Sequence, residues 1–580
     1  MVDEQAALGV ATTRVEERLL ASVGQLQAAP IRFEAVDDVP SGGVLCALPA
    51  LLVLGLLRHT AKSFSLPAGY YPLETIFLVV VFLALARIKS LEALRYQPPG
   101  EWGKLLGLDR IPEVRTLREK LEWLCQNGEP VRQWSRTLAQ EWMEAQPESA
   151  GCLYVDGHVR VYHGQLTQLP RRYVARQRLC LRGTTDYWVN AMDGQPFFVV
   201  TQAADPGLLK VLEEQIVPRL LTDVPGQPSA AELEANPRRA RFTVVFDRAG
   251  YSPEAFSRLW AQRIAVTTYH KFPEGPWGEE EFVVQRVRLV NGEEVELALA
   301  ERGVCLSNGL WVREIRQKEA SGHQTAMLST DYLRGLEVVA VRLFARWCQE
   351  NFFQYMSQHY GLDRLIEYGT EPLPDTTLVV NPLWRAKDQA VRRERALLLR
   401  EQAQFAALTA PEPPEPQTMA DYEKEKGKLL EQIQRRQQQI EQLKTERKAA
   451  LKHVPLKDLP PDQRFAQLRT TKKHFVDTLK LIAYRAETAL AQVVREKLPR
   501  EQDARSLVRQ VLTTAVDLRP DTAQKTLTVR LHRLSSPGHD EVLEHLCQEL
   551  TVTETTFPGT DLRLIYQPVG AKEIPRDQDS

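Results

Sequence analysis

The order of apolar and polar positions divides the chain into blocks of different texture. Residues 1–40 are mixed and predict a loosely attached N-terminal arm. Val44–Leu57 and Ile76–Ala86 are continuous apolar runs and predict two buried core helices. Glu101–Leu108, a break at Asp109–Pro112 and then Glu113–Cys125 predict helix, turn, helix. Leu117, Leu121 and Leu124 recur there at helical spacing, and Pro112 suits a first turn. From Gly151 the period changes to two. Leu153, Val155, Val159 and Val161 fall on one face, and Tyr154, Asp156, His158, Arg160 and Tyr162 on the other. Tyr187–Thr201 predicts two strands around Asp193-Gly194, and Glu281–Ala300 two more around Asn291-Gly292. Leu208–Val217 predicts a helix ended by Pro218, Arg241–Asp247 a buried strand, and Ile264–Tyr269 another. A single long helix is expected over Glu337–His359. Arg385–Arg400 predicts a basic helix, Ala410–Pro416 a stiff linker, and Asp421–Leu451 a short coiled coil with Arg436 at a seam position. Residues 464–516 are expected to be mostly helical, and Thr526–Leu534 and Asp561–Pro568 to be strands.

This pattern predicts a multidomain α/β protein. Its parts are the arm (1–40), a helical domain (41–148) whose helix-turn-helix outline fits either DNA binding or an ordinary helical hairpin, a mixed-sheet core (149–382) with a β-rich insertion (275–330), a basic helix and Pro-rich linker (383–418), the coiled coil (419–455), and a C-terminal helical and α/β domain (456–580). The apolar runs, 14 and 11 residues long, fall short of the ~18–20 residues of a membrane span. The acidic N-terminus carries no secretory pattern, so a cytoplasmic protein with no membrane partner is expected.

Composition narrows the classes. In 580 residues, 43% hydrophobic and 26% charged exclude wholesale disorder. Seven cysteines without a CxxC pair exclude a disulfide scaffold or a zinc-finger framework. Lys+Arg is 74 against 75 Asp+Glu, a net charge of −1, which argues against a nucleic-acid partner only if the charge is evenly spread. It is not. Gly157–Thr185 holds six arginines (160, 171, 172, 176, 178, 182) and no acid. Arg385, Lys387, Arg392, Arg393 and Arg395 form a second cluster, and Lys472, Lys473, Lys480 and Arg485 a third. Such clusters can neutralise phosphates, while each alone also fits a solvated helix face.

The candidate chemistry lies in three carboxylates. Asp247 ends an otherwise apolar strand, where a buried carboxylate needs a cation, hydrogen bonds or a metal. Asp156 lies on an unusually polar strand face, although Asp156-Gly157 also fits a hairpin turn. Glu350 lies on a helix with Trp347 and Phe353 three residues to either side, although an ion pair with Arg346, four residues back, also accounts for its charge. Three hard oxygen ligands suit two Mg²⁺ or Mn²⁺ ions. Trp188, Trp311 and Trp347 are candidates for base stacking, or simply core.

The segments YVDGHVRVYHG, VVFDRAGYS, LSTD and RWCQENFFQYM resemble the DDE transposases of bacterial insertion sequences, which have an RNase H-like catalytic core. GEWGKLLGLDRIPEVRTLREKL, LIAYRAETAL and FPGTDLRLIY extend the resemblance outward. It implies that Asp156, Asp247 and Glu350 are the metal-binding catalytic triad; its helix and aromatic flank favour Glu350 over Asp331, Glu337, Asp363 and Glu367 for the third role. It implies that residues 275–330 are the insertion such cores carry. It further implies metal-dependent cleavage and strand transfer on double-stranded DNA at transposon ends and target, a homodimer assembled on DNA, and a bacterial, nucleoid-associated location. Arg160, Arg171, Arg172, Arg176, Arg178 and Arg346 would line the DNA path, with Arg115 and Arg118 on the helical domain. One subgroup carries Tyr-x2-Arg-x3-Glu-x6-Lys; this chain keeps Arg346 before Glu350 but has Leu343 and Ser357 at the Tyr and Lys positions. A catalytically silent DNA-binding relative and an RNase H-like nuclease are the alternatives.

Overall fold

The computed structural model of the chain describes residues 11–164, 169, 171–174, 179–202, 207–289, 292–364, 366, 369–410, 415–464, 466–534 and 536–570. They form two compact units. One takes in the chain up to His163, Arg171–Gly369 and Arg469 onward; the other takes in Gly164–Pro170 and Thr370–Leu468. The expected boundaries at 148/149 and 455/456 do not divide these units.

In the first unit the N-terminal segment is tied down rather than loose. Strand β1 (Val36–Val39) pairs antiparallel with Val516–Asp521. The Asp109 carboxylate accepts the backbone N–H groups of Thr13 and Arg14 at 3.1 and 3.2 Å, and Arg18 and the Tyr70 hydroxyl besides. The run Val44–Leu57 is no single helix. It splits into a tight turn (Gly42–Ala47) and a short helix (Leu48–Val53) with Pro49 in its first turn. Gly43 lies so close to the Val511 carbonyl that a Cβ would stand 1.8 Å from its oxygen. The second run is helix α1 (Leu73–Leu85), apolar all round and buried at 11 of 13 positions, as an interior helix must be. Among the described residues no helix is long and apolar enough to cross a membrane. Helices α2 (Val114–Leu124) and α3 (Gly128–Ala145) follow, α2 burying Val114, Leu117, Leu121 and Leu124.

The middle of the chain builds a ten-stranded sheet from β2 (Cys152–Val161), β3 (Arg171–Val174), β4 (Leu179–Asn190), β5 (Pro196–Thr201), β6 (Phe242–Val245), β7 (Ile264–Tyr269), β8 (Val283–Arg288), β9 (Glu294–Cys305), β10 (Trp311–Lys318) and β11 (Gln324–Ser329). The order is β3-β4-β2-β6-β7-β11-β10-β9-β8, with β5 also on β4. Strands β2, β4 and β5 pair antiparallel in succession, whereas β6 and β7 run parallel to β2. Asp156-Gly157 is no turn: the β2–β4 ladder runs unbroken from Tyr154↔Asn190 to Val161↔Gly183. Strands β8–β11 are an antiparallel set joined through β11 to β7; Asn291 lies outside the described residues. Pro218 does not end its helix. A π-turn at Leu212–Ile216 precedes it, and the helix resumes over Val217–Asp223 with the proline in the resumed first turn. Helix α4 (Pro253–Ala261) is capped by Ser252, whose hydroxyl accepts from the Ala255 N–H.

The long helix expected over 337–359 is broken into α5 (Leu336–Phe344) and α6 (Trp347–Tyr355), with a π-turn at Met356–Tyr360. At the break, Cys348 and Gln349 donate to the carbonyls three residues back, Ala345 and Arg346. This tightening aims Arg346 at the sheet.

In the second unit, β12 (Leu378–Val380) pairs with β13 (His453–Pro455) around two long helices, α7 (Pro382–Ala407) and α8 (Pro416–Ala449). Cross-pairs Lys387–Glu446, Arg447–Asp388 and Arg436 with Glu394 and Glu401 run antiparallel. The seam arginine is thereby explained: it binds two acids of its own chain. Residues 411–414 of the expected linker lie outside the described residues.

The C-terminal part returns to the first unit as α9 (Thr471–Arg495), α10 (Ala504–Thr513), β14 (Val516–Asp521), β15 (Thr526–Leu531), α11 (Pro537–Val552) and β16 (Arg563–Pro568). Its sheet order is β1-β14-β15-β16. Helix α9 has 17 of its 25 residues buried and is the inner helix of the unit.

Candidate active site

Two neighbouring parallel strands bring Asp156, midway along β2, level with Asp247, just past the carboxyl end of β6. Tyr154 of β2 is in register with Val245 of β6, so two residues further along each strand the chain reaches an aspartate. Ligands bind at such carboxyl ends in open α/β sheets. Asp156 takes the Gly157 N–H at 2.8 Å. Asp247 takes the Ala249 N–H at 2.9 Å, and its carbonyl accepts the Thr268 hydroxyl.

Glu350 arrives on the first turn of α6. Beside it, Gln349 is buried and its amide donates to the Tyr154 carbonyl, the Trp188 carbonyl and Asn190 Oδ1 at 3.1–3.3 Å. One side chain thus stitches the Glu350 helix to both β2 and β4. Trp188, opposite Asp156 in the ladder, is fully buried against Phe352 and Phe353; it is core, not a surface for a base. Trp311 and Trp347 are exposed at 53% and 61%. Gly194, at φ +85°, lets the β4–β5 turn pack on the Cys348 carbonyl, which a Cβ would meet at 3.0 Å.

Arg346 lies between two of the acids. Its guanidinium is 3.7 Å from Asp156 and ion-paired with Glu350. Burial, and next the charge of Asp247, push the Asp156 carboxyl up to about 7; Arg346 opposes this and Glu350 adds to it. Asp156 therefore feels both of the other sequence-selected carboxylates. The three are not drawn into a tight cage: among the described residues, the only group of three His, Cys, Asp or Glu ligand atoms all within 4.8 Å is Asp38, Asp517 and His532 in the small sheet.

The supporting residues carried no sequence signal of their own. His158, on the Asp156 face of β2, is 2.6 Å from Asp363 and stacks on Phe353, 5.0 Å between ring centres. The Tyr355 and Tyr360 hydroxyls donate to Glu487 of α9, which has no exposed side-chain surface and also takes Arg87 at 2.6 Å. Of the rivals for the third role, Asp331 pairs with Arg342 and Arg334, and Asp363 with His158 on the Asp156 face. Glu367 lies outside the described residues.

The expected DNA contacts divide. Arg160 is not on the surface: it is 2% exposed and bound to Asp186 at 2.5 Å, because its strand face turns inward there. Arg115 and Arg118 are exposed but pair with Glu119 and Glu92. Arg171 is exposed on β3. Arg176, Arg178 and the side chain of Arg172 lie outside the described residues.

A family model described as transposase protein matches residues 9–570. The chain belongs to this transposase family. No curated protein matches it. For a transposase the partner is DNA.

Proposed function

We propose that the transposase is of the DDE type, an RNase H-like core in which Asp156, Asp247 and Glu350 catalyse metal-dependent cleavage and joining of DNA ends. The observation that carries this is that Asp156 of β2 feels both Asp247, just past β6, and Glu350 of α6, and is reluctant to ionise beside them. The strand run β5-β4-β2-β6-β7, antiparallel to β2 on one side and parallel on the other, supports the core assignment. So does the β8–β11 set lying between Asp247 and Glu350 in the chain.

The site fits divalent metal. Its donors are all carboxylate oxygens, and its excess negative charge is met only in part by Arg346. Bound by these three residues, two Mg²⁺ or Mn²⁺ ions supply the Lewis acidity that in-line displacement at phosphorus requires. Arg346 keeps Asp156 and Glu350 from repelling each other. Gln349, the His158–Phe353 stack and the Glu487 clamp hold the Glu350 helix to the strands, so the acids are positioned before DNA arrives. A homodimer on paired ends and a nucleoid location in a bacterial cell follow from the same reading.

The test is cleavage of supercoiled DNA carrying the element's ends. Wild type should nick in Mg²⁺ or Mn²⁺ and stop in EDTA. Asp247→Asn and Glu350→Gln should bind duplex and not cut. Wild-type cleavage by Asp247→Asn would overturn the assignment.

A further inference from the structure

Helix α7 sorts its charges by face. Its three acids all turn toward α8: Asp388 to Arg447 at 2.6 Å, Glu394 and Glu401 to Arg436 at 2.5 and 2.6 Å. Lys387, expected in the basic cluster, is drawn inward too, to Glu446 at 2.6 Å. What remains outside is arginine. Arg385, Arg393, Arg395 and Arg400 are exposed and, among the described residues, have no ion pair or side-chain hydrogen bond; Arg392 is 80% exposed over Asp388. At about 100° per residue, 385, 392, 396, 400 and 403 share one side, with 393 and 395 flanking it. Between the arginines on this side lie Gln389, Ala396 and Leu399; Asp388 lies there too, but it is buried and held by Arg392 and Arg447.

A face that only had to stay in solution would mix both signs, because like charges a turn apart repel. From Arg385 to Arg400 the row runs about 22 Å at 1.5 Å per residue, close to six base-pair steps of 3.4 Å. Arginine, with its planar fork of donors, suits phosphate oxygens better than a point charge does. Leu383 and Leu399 are the large exposed apolar side chains of α7, too few for a face that inserts into lipid.

We propose that this face is a docking surface for the phosphate backbone of duplex DNA, independent of sequence. It is separate in its chemistry from the carboxylate site.

The experiment is fluorescence anisotropy of the full chain with a labelled duplex of unrelated sequence, in EDTA, across a salt series. Arg385→Gln/Arg393→Gln/Arg395→Gln/Arg400→Gln should melt like wild type and bind about 10–100-fold more weakly near physiological salt. The slope of log K against log salt should become shallower by about 2–4, as for that many lost phosphate contacts. The double variant Arg385→Gln/Arg400→Gln should lose about half of that slope. Unchanged affinity and slope would overturn the proposal. So would duplex binding that is kept while binding to phosphatidylserine vesicles or polyglutamate is lost. Since no cleavage is read, failure here leaves the carboxylate assignment untouched, and failure of Asp247→Asn to abolish cutting leaves this surface untouched.

Discussion

Helices α7 and α9 are nearly the same length, 26 and 25 residues, and in the sequence both read as basic clusters. They do opposite things with their charge. In α7 only Asp388 and Val391 are buried, and the acids are drawn to the partner helix so that arginines face out. In α9 the cations go inward: Lys473, Lys480 and Arg485 are 2%, 5% and 4% exposed. Lys473 pairs with Asp477, and Arg485 donates to the Pro196 carbonyl at 3.0 Å while its guanidinium lies 4.7 Å from the Trp142 ring centre. Lys472 pairs with Glu122. Counting Lys and Arg cannot separate the two cases. The neighbours can, since in α9 the cations are interleaved with Phe475, Leu479, Ile482 and Leu490, whereas in α7 arginine follows arginine.

The sharpest way to break the comparison is Glu487, the acid at the centre of the inward network. Glu487→Ala removes the partner of Arg87 and of two tyrosine hydroxyls and leaves a buried cation uncompensated. A loss of about 3–5 kcal/mol in urea unfolding is expected. A loss below 1 kcal/mol would show that α9 carries its charges as loosely as α7.

Next is Lys480. Burial, then the neighbouring Lys473, bring its ammonium down to about 7. Between pH 7 and its ordinary value near 10.5 the unfolded chain binds the proton and the folded one does not, so stability should rise with pH across that window. The penalty of burying the charge is full below pH 7. Lys480→Met should therefore stabilise by about 1–3 kcal/mol at pH 6, and the gain should fade toward pH 10. Melting curves of both proteins at pH 6, 8 and 10 check the sign. A gain that grows with pH would contradict the burial.

Arg436 sits between the extremes, 24% exposed and holding two acids. Arg436→Ala should cost about 1 kcal/mol. It should also release Glu394 and Glu401, measurable as weaker duplex binding if the acids then oppose the arginine row.

Much of this was legible in the sequence because it depended on local patterning. The period-two run around Asp156, the apolar strand ending at Asp247, the Asp193-Gly194 turn and the apolar run of helix α1 from Ile76 follow from neighbours along the chain. The features that escaped depend on distant partners. Arg160 has the same spacing as a surface arginine, and only Asp186, 26 residues on, makes it a core residue. The break before α6 exists where Arg346 turns to Asp156, 190 residues away in sequence. The arm is fixed by Asp109 and by a strand near residue 516. Glu487 is singled out only by Arg87, Tyr355 and Tyr360, which converge on it from distant segments.

The smallest expected effect completes the comparison. Arg393→Gln removes an exposed guanidinium with no ion pair or side-chain hydrogen bond among the described residues, so stability should move by no more than about 0.5 kcal/mol. The same change at Arg485 removes a donor to the Pro196 carbonyl and the guanidinium packed near Trp142 and Phe197, and should cost about 2–3 kcal/mol. One substitution on two helices, read by thermal melting at neutral pH, thus isolates the setting of the arginine from its chemistry. If both variants melted alike, the sorting of inward and outward charge would carry no energetic weight. If Arg393→Gln were the more damaging, the outward face of α7 would be packed against something in the folded chain and would not be open to DNA.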